Sequence, residues 1–156
     1  MSTLSTVNQR NLTGKSQVQS ERVRPLRLVW AGPLTALAAS ICSIAVREIG
    51  AALGTIPGDL QILQEPAVAV STIAFVLVGA LVFAVVARFS KHPAGTFRRV
   101  AVVALILSFF NPIAAGMGWI PVGAPVGAAT VVTMLVMHVV AAAVTMYLLP
   151  RLILEQ

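Results

Sequence analysis

The sequence predicts an all-α integral membrane protein, a four-helix bundle with both termini on the cytoplasmic side (N-in/C-in). Composition is the first ground. Hydrophobic residues make up 58% of the 156 and charged residues only 10%, with a mean hydropathy of +0.91. Soluble domains carry nearer a quarter charged residues because they need a solvated surface. A chain this apolar needs lipid around it. The second ground is four separate apolar runs of about 19 to 26 residues, against the ~20 a helix needs to cross the hydrocarbon core. The third is the placing of lysine and arginine, which gather on one side of those runs.

Taken in order, residues 1–27 are rich in Ser, Thr, Asn, Gln and Arg. They lack core-forming side chains, so a disordered, basic cytoplasmic tail is expected. The stretch is too long and polar for a cleavable signal, and the run after it is long enough to span. Asn11-Leu12-Thr13 has the glycosylation pattern, but a cytoplasmic segment does not meet that machinery. The transmembrane domain is expected over 28–150.

The first span covers about 28–53, with Trp30 near its start, and a loop with Gly, Pro and acidic residues follows at 54–65. The second covers about 66–87 and opens on Pro66, whose missing N–H would be unbonded in a first turn anyway. A basic loop at 88–99 leads to the third span, about 100–118. An uncharged turn at 119–125 precedes the fourth, about 126–149, with Pro150 and Arg151 expected to stop it.

Charge sets the orientation. The tail carries Arg10, Lys15, Arg22, Arg24 and Arg27, and the middle loop Arg88, Lys91, Arg98 and Arg99. The other two loops carry no Lys or Arg, and the first of them has Asp59 and Glu65. The positive-inside rule then places tail and middle loop in the cytoplasm, and four spans return the C-terminus there, with Tyr147 and Arg151 at that interface. The formal charge of +6 is explained by topology and anionic lipid, so no nucleic-acid partner is expected. The one cysteine, Cys42, excludes an intramolecular disulfide, a CxxC pair and a cysteine zinc site. No metal or other cofactor is expected, and no internal repeat marks a duplicated transporter half.

Membrane helices associate through close packing and polar contacts, often at small residues. Such a face runs through Ala36, Ser40, Ser43, Arg47, Gly50 and Gly54 in the first span. In the third it runs through Ala101, Ala104, Ser108, Asn111, Ala115 and Gly118, and in the fourth through Thr130, Met134, His138, Ala141 and Thr145. The second span divides between Thr72 and Gly79 on one face and Ala80, Ala84 and Ala87 on another.

Two groups of residues stand out as candidate sites. Asn111-Pro112 interrupts the third span: proline lacks an N–H, so the carbonyl of Ser108 loses its partner and the helix bends. The functional reading is a gate or small-ligand site; the plainer one is a packing kink satisfied by a neighbour, since prolines are common in membrane helices. His138 lies midway through the fourth span, where an ionisable residue suggests a proton relay or cofactor ligand. His92 lies at the wrong depth to complete a bis-histidine haem site, and a neutral histidine bonding two helices is the simpler reading. Ser108, Asn111 and His138 therefore form a candidate intramembrane polar cluster, with Asn111 and His138 expected to satisfy each other. Arg47 and Glu48 are candidate outer-interface charges. Neighbours on a helix point about 100° apart, so the two are not expected to pair well.

Ala87-Arg88-Phe89, then Pro93, then Thr96-Phe97-Arg98, together with Met137-His138 and Ala141, Ala142 and Ala143, resemble a family of small four-span bacterial membrane proteins classified only as a domain of unknown function. The resemblance covers about residues 28–150. It implies a four-helix bundle in the bacterial cytoplasmic membrane and brings no activity with it. The polar tail and Asn111-Pro112 depart from the commoner family pattern.

With no soluble domain to hold an active site, the leading expectation is a non-enzymatic scaffold or accessory subunit. It would have the lipid bilayer around it and a second copy, or another membrane protein, as partner. The alternative is a small transporter or channel subunit with a polar path near Asn111 and His138. A membrane enzyme ranks third, since it needs convergent reactive groups at one depth and the cluster lacks a carboxylate. Reporter fusions test the topology. Fusions after Arg10, within 88–99 and after Arg151 are expected to report cytoplasm, and those at Asp59 and Gly123 the outside; a cytoplasmic signal at Asp59 removes the four-span arrangement.

Overall fold

A computed structural model describes residues 25–58 and 60–153, with side chains from Val29 onward. The tail as far as residue 24, and Asp59, lie outside the described residues. Five α-helices follow one another: α1 (Pro25–Ala52), α2 (Glu65–Phe89), α3 (Pro93–Ser108), α4 (Phe110–Gly116) and α5 (Ala128–Ile153), with one 3₁₀ turn at Gln61–Leu63. Four stretches are long and apolar enough to cross a membrane: Val29–Ala52, Glu65–Phe89, Pro93–Gly116 and Ala128–Ile153. The chain is an integral membrane four-helix bundle, with α3 and α4 making up the third span, and no strand occurs among the described residues.

The helix ends show how local chemistry places the boundaries. Proline opens α1 and α3 and stands in the first turn of α2, where its fixed φ suits a helix and no N–H is missed. Helix α3 therefore begins at Pro93 rather than near 100, and Arg98 and Arg99 are helical. At the far ends of α1 and α4, Gly54 (φ 68°) and Gly118 (φ 73°) take the left-handed conformation. Each is followed by a pair of reversing bonds, Gly54 N to Ala51 O with Thr55 N to Gly50 O, and Gly118 N to Ala115 O with Trp119 N to Ala114 O. This is the Schellman arrangement that satisfies the last carbonyls.

One of the two proline expectations needs correction. Pro150 does not stop the last helix, which runs on to Ile153. Its ring is buried, and Leu149 and Ile153 on either side are wholly buried in the core, which offsets the one hydrogen bond lost. The third span breaks at Phe109, between Ser108 and Phe110. Pro112 withholds the donor that Ser108 O would receive, so the disturbance appears a turn before the proline. Phe109 N divides itself between the carbonyls of Leu105 and Ile106 at 3.3 Å, and α4 resumes with Ile113 N on Phe109 O at 3.2 Å.

Helix α1 packs most extensively against α5 and α2, while α3 and α4 lean on α2 and α5 from the other side. The small-residue face of α1 is what α5 and α2 meet: Ala36, Ala39, Ser40, Ser43 and Gly50 are buried. A Cβ on Gly50 would lie 2.7 Å from Thr133 Cγ2, and one on Gly116 would lie 2.5 Å from Val131 Cγ2, so both glycines permit close approach to α5. Beside Gly50, the Thr130 hydroxyl donates to Thr55 O at 2.6 Å, and the Thr55 and Thr133 hydroxyls are 3.0 Å apart. These bonds staple the end of α1 to the start of α5.

Three core clusters divide the bundle along its length. At the basic-loop end, Phe83 and Phe97 meet edge to face at 5.0 Å between ring centres, packed with Ala31, Ala80, Leu149 and Ile153. In the middle, Ala36, Ala39 and Val76 close α1 on α2. At the opposite end, Leu60 and Leu63 fold down from the loop onto Val68, Met134 and Met137.

Gly50→Leu is expected to lower stability by about 1–3 kcal/mol through overpacking against Thr133. Gly58→Ala, which meets nothing within 4 Å, is expected to shift it by less than about 0.5 kcal/mol. Thermal unfolding in nanodiscs compares the two.

Candidate functional site

Between the end clusters lies a cavity of about 690 Å³, walled by α2, α3, α4 and α5 and reached by Ser43 of α1. Its size falls within the ~300–1,000 Å³ of small-molecule sites. Helices α2 and α3 meet in the core at Phe83 and Phe97, and above that contact the cavity separates them. Phe75, Val78 and Val100 line it and are also exposed on the outer flank of the bundle. The opening therefore faces sideways, between α2 and α3, where the bilayer would lie. Phe97 stands at one end of the cavity, and Leu63, Met134 and Val122 stand at the other.

Ser108, Asn111 and His138 all line this space. Most of the small-residue face of the third span thus does not close on a neighbouring helix: Ala101, Ala104, Ser108 and Asn111 form a cavity wall instead, and only toward its end, at buried Ala115, does the face pack inward. The expected hydrogen bond between Asn111 and His138 is not the one His138 makes. Its Nδ1 lies 2.7 Å from the carbonyl of Met134, one turn back on its own helix. A carbonyl only accepts, so Nδ1 carries a proton; in the tautomer of the imidazole that this selects, Nε2 is the acceptor. The Ser108 hydroxyl likewise turns back, donating to Leu105 O at 2.7 Å. Local backbone acceptors satisfy both groups without a partner helix.

Polar lining not singled out from sequence comes from Ser43, Ser71, Thr72 and Thr145. Ser71 donates to Val68 O at 3.1 Å and Thr145 to Ala141 O at 2.7 Å. Ser43 differs. It is 1% exposed and its hydroxyl has no partner among the described residues. Thr35 and Ser40 are also buried without partners, but neither reaches the cavity; Ser43 does. The sequence held a trace of this in Ser43's place on the small face of α1. It held another in the i, i+3 spacing of Leu60 and Leu63, an apolar pair in an otherwise turn-like loop.

Arg47 and Glu48 lie at the opposite end from the basic loop, and here a second correction applies. The two side chains do pair, Arg47 Nη1 to Glu48 Oε1 at 2.5 Å. The reason is a third group. Arg47 Nε donates to Leu63 O at 3.0 Å, which holds the guanidinium beneath the loop and leaves its other donors for Glu48 and, at 3.8 Å, Glu65. A guanidinium carries five donors and can serve several acceptors at once. Arg47 thereby fixes the backbone of a residue whose side chain closes the cavity.

Residues 20–153 match the profile of a family described as a family of unknown function, DUF6069. No curated protein and no solved structure matches the chain.

Arg47→Ala is expected to destabilise the protein by about 1.5–3 kcal/mol, the usual worth of a hydrogen bond from a charged donor. Glu48→Ala, whose side chain is half exposed, is expected to cost well under 1 kcal/mol. Hydrogen exchange at residues 60–64 should speed up in the first variant only; equal effects would mean that Arg47 does not hold the loop.

Proposed function

We propose that this chain, which belongs to the DUF6069 family, is a non-enzymatic membrane accessory protein that takes a lipid-soluble small molecule from the bilayer into its central cavity. The observation carrying this is the cavity itself: large enough for a small molecule, placed at membrane depth and open toward lipid between α2 and α3. No charged side chain among the described residues lines it, which suits uptake of a neutral molecule, since an unpaired charge at that depth is costly. Binding accounts for this geometry better than conduction. A channel needs a continuous polar path, whereas core clusters around Phe97 and Leu63 stand across the two ends.

The proposed orientation puts the basic-loop end in the cytoplasm of a bacterial cell. Arg88, Lys91, Arg98, Arg99 and Arg151 are all exposed there, and Tyr147 accepts a hydrogen bond from Arg151, whose guanidinium stacks 3.8 Å from its ring centre. At the other end the described charges are Arg47, Glu48 and Glu65, with the arginine held by both acids. This asymmetry supports the same topology as the loop composition.

The binding test uses the protein in nanodiscs with a hexadecane carrying one photoactivatable diazirine. Crosslinks are expected on cavity residues of α2, α3 and α5. In Ala104→Trp, which fills the cavity from α3, those crosslinks should fall to the level at lipid-facing Leu34. Undiminished labelling in that variant would mean that the probe samples only the outer surface.

A further inference from the structure

We propose that the cavity selects a neutral lipid-soluble alcohol or phenol, whose hydroxyl donates to His138 Nε2 and accepts from Ser43. This rests on the binding reading above and names the chemistry of the ligand.

The polar groups are not spread evenly along the cavity. At about 1.5 Å per residue, Ser43 lies roughly 14 Å from the end of α1 at Ala52, and Ser108 and Asn111 roughly 12 and 8 Å from the end of α4. His138 lies roughly 15 Å from the start of α5 on the same count. All four therefore sit in the half nearer Leu63. Toward Phe97 the wall is Val82, Val100, Ala101 and Ala142, and the one hydroxyl there, on Thr145, is spent on Ala141 O. A molecule with a polar head and an apolar body fits in one direction only, head toward Leu63 and body toward Phe97.

The donor and acceptor inventory then defines the head. His138 offers a bare Nε2, because its Nδ1 proton is committed to Met134 O. Ser71 and Ser108 give their protons to Val68 and Leu105 carbonyls and can offer only lone pairs. Ser43 keeps an uncommitted hydroxyl in a site from which water-exposed surface is almost absent. Buried hydroxyls are nearly always partnered; of the three left without a partner among the described residues, Thr35, Ser40 and Ser43, only Ser43 borders the cavity, so a group brought into the cavity is its available partner. Asn111 adds an amide that can both donate and accept, and no charged side chain among the described residues lines the cavity to receive an ion. A hydroxyl matches this set, since it donates once and accepts twice. An ether or ketone can only accept, and would leave Nε2 unpaired. A carboxylate or ammonium head would bring an uncompensated charge.

The test is displacement of the diazirine hexadecane from cavity residues by unlabelled hexadecanol, hexadecyl methyl ether, hexadecane and palmitate, each at matched mole fraction in nanodiscs. Hexadecanol is expected to displace the probe at a mole fraction at least tenfold lower than the ether. In Ser43→Ala and in His138→Phe that advantage should shrink to less than threefold, with His138→Gln restoring part of it through its amide oxygen. The serine variant is nearly isosteric and keeps the test open if His138→Phe does not fold. A short-tailed hydroquinone run beside hexadecanol tells an aromatic source of the hydroxyl from an aliphatic one; stronger displacement by either supports the proposal. Equal potency of alcohol and ether in the unmodified protein would overturn hydroxyl selection while leaving cavity binding intact. Absence of any cavity labelling would overturn the binding reading and this inference with it.

Discussion

Close approach of α1 to its two neighbours is the constraint on which the rest of the structure depends. Lipid gives two apolar helices no reason to prefer each other over acyl chains, so association must come from contact area and hydrogen bonds. Small residues supply the contact by letting backbones come near. On α1 they recur as Ala36, Ala39, Ser40, Ser43 and Gly50, and at Gly50 the space left for a side chain is already taken by Thr133. The threonine bonds around Thr55 then hold the close-packed end in register.

What α1 gains, the third span lacks. Helix α1 takes the best-packed faces of α2 and α5, so α3 and α4 can touch those helices only along their flanks. Contact at the basic-loop end is secured by two aromatic rings, and farther along the wall is alanine, serine and asparagine, too small to reach across. The same small residues that close α1 on its neighbours leave a cavity under α3. Whether a small face packs or forms a wall depends on how near the neighbouring backbone comes, and the partner helices were already committed. The break at Phe109 redirects the last turns, and α4 packs Ala114 and Ala115 inward before its glycine cap.

The chemistry of the cavity follows from a further consequence of lipid surroundings. Polar side chains without water take the nearest acceptor, which for Ser and Thr in a helix is a carbonyl three or four residues back. Ser71, Ser108 and Thr145 do this, and His138 does the same through Nδ1. Each group is satisfied within its own helix, so none needs a partner across the bundle, and the space between helices is left free for a ligand. The departure of Ser43 from this habit gives the cavity its one uncommitted, fully buried hydroxyl.

The sequence by itself determined the fold class, the number of spans and the residues of the small faces. Bilayer thickness demands long apolar runs, and helical periodicity sorts their residues onto faces. It also placed Ser108, Asn111 and His138 inside the spans, because rise per residue is fixed. Tertiary structure decided what those residues face. The sequence pointed Asn111 at His138, yet both border a cavity, since the distance between two helices depends on all the others packed around them. Pairing of Arg47 with Glu48 was likewise beyond local geometry, because it required the Leu63 carbonyl to hold the guanidinium from a loop that folds back. Pro150 read as a stop, and burial of Leu149 and Ile153 carried the helix through it. Local rules act within a few residues and are written in the chain, whereas the gaps between helices are set by every packed face at once.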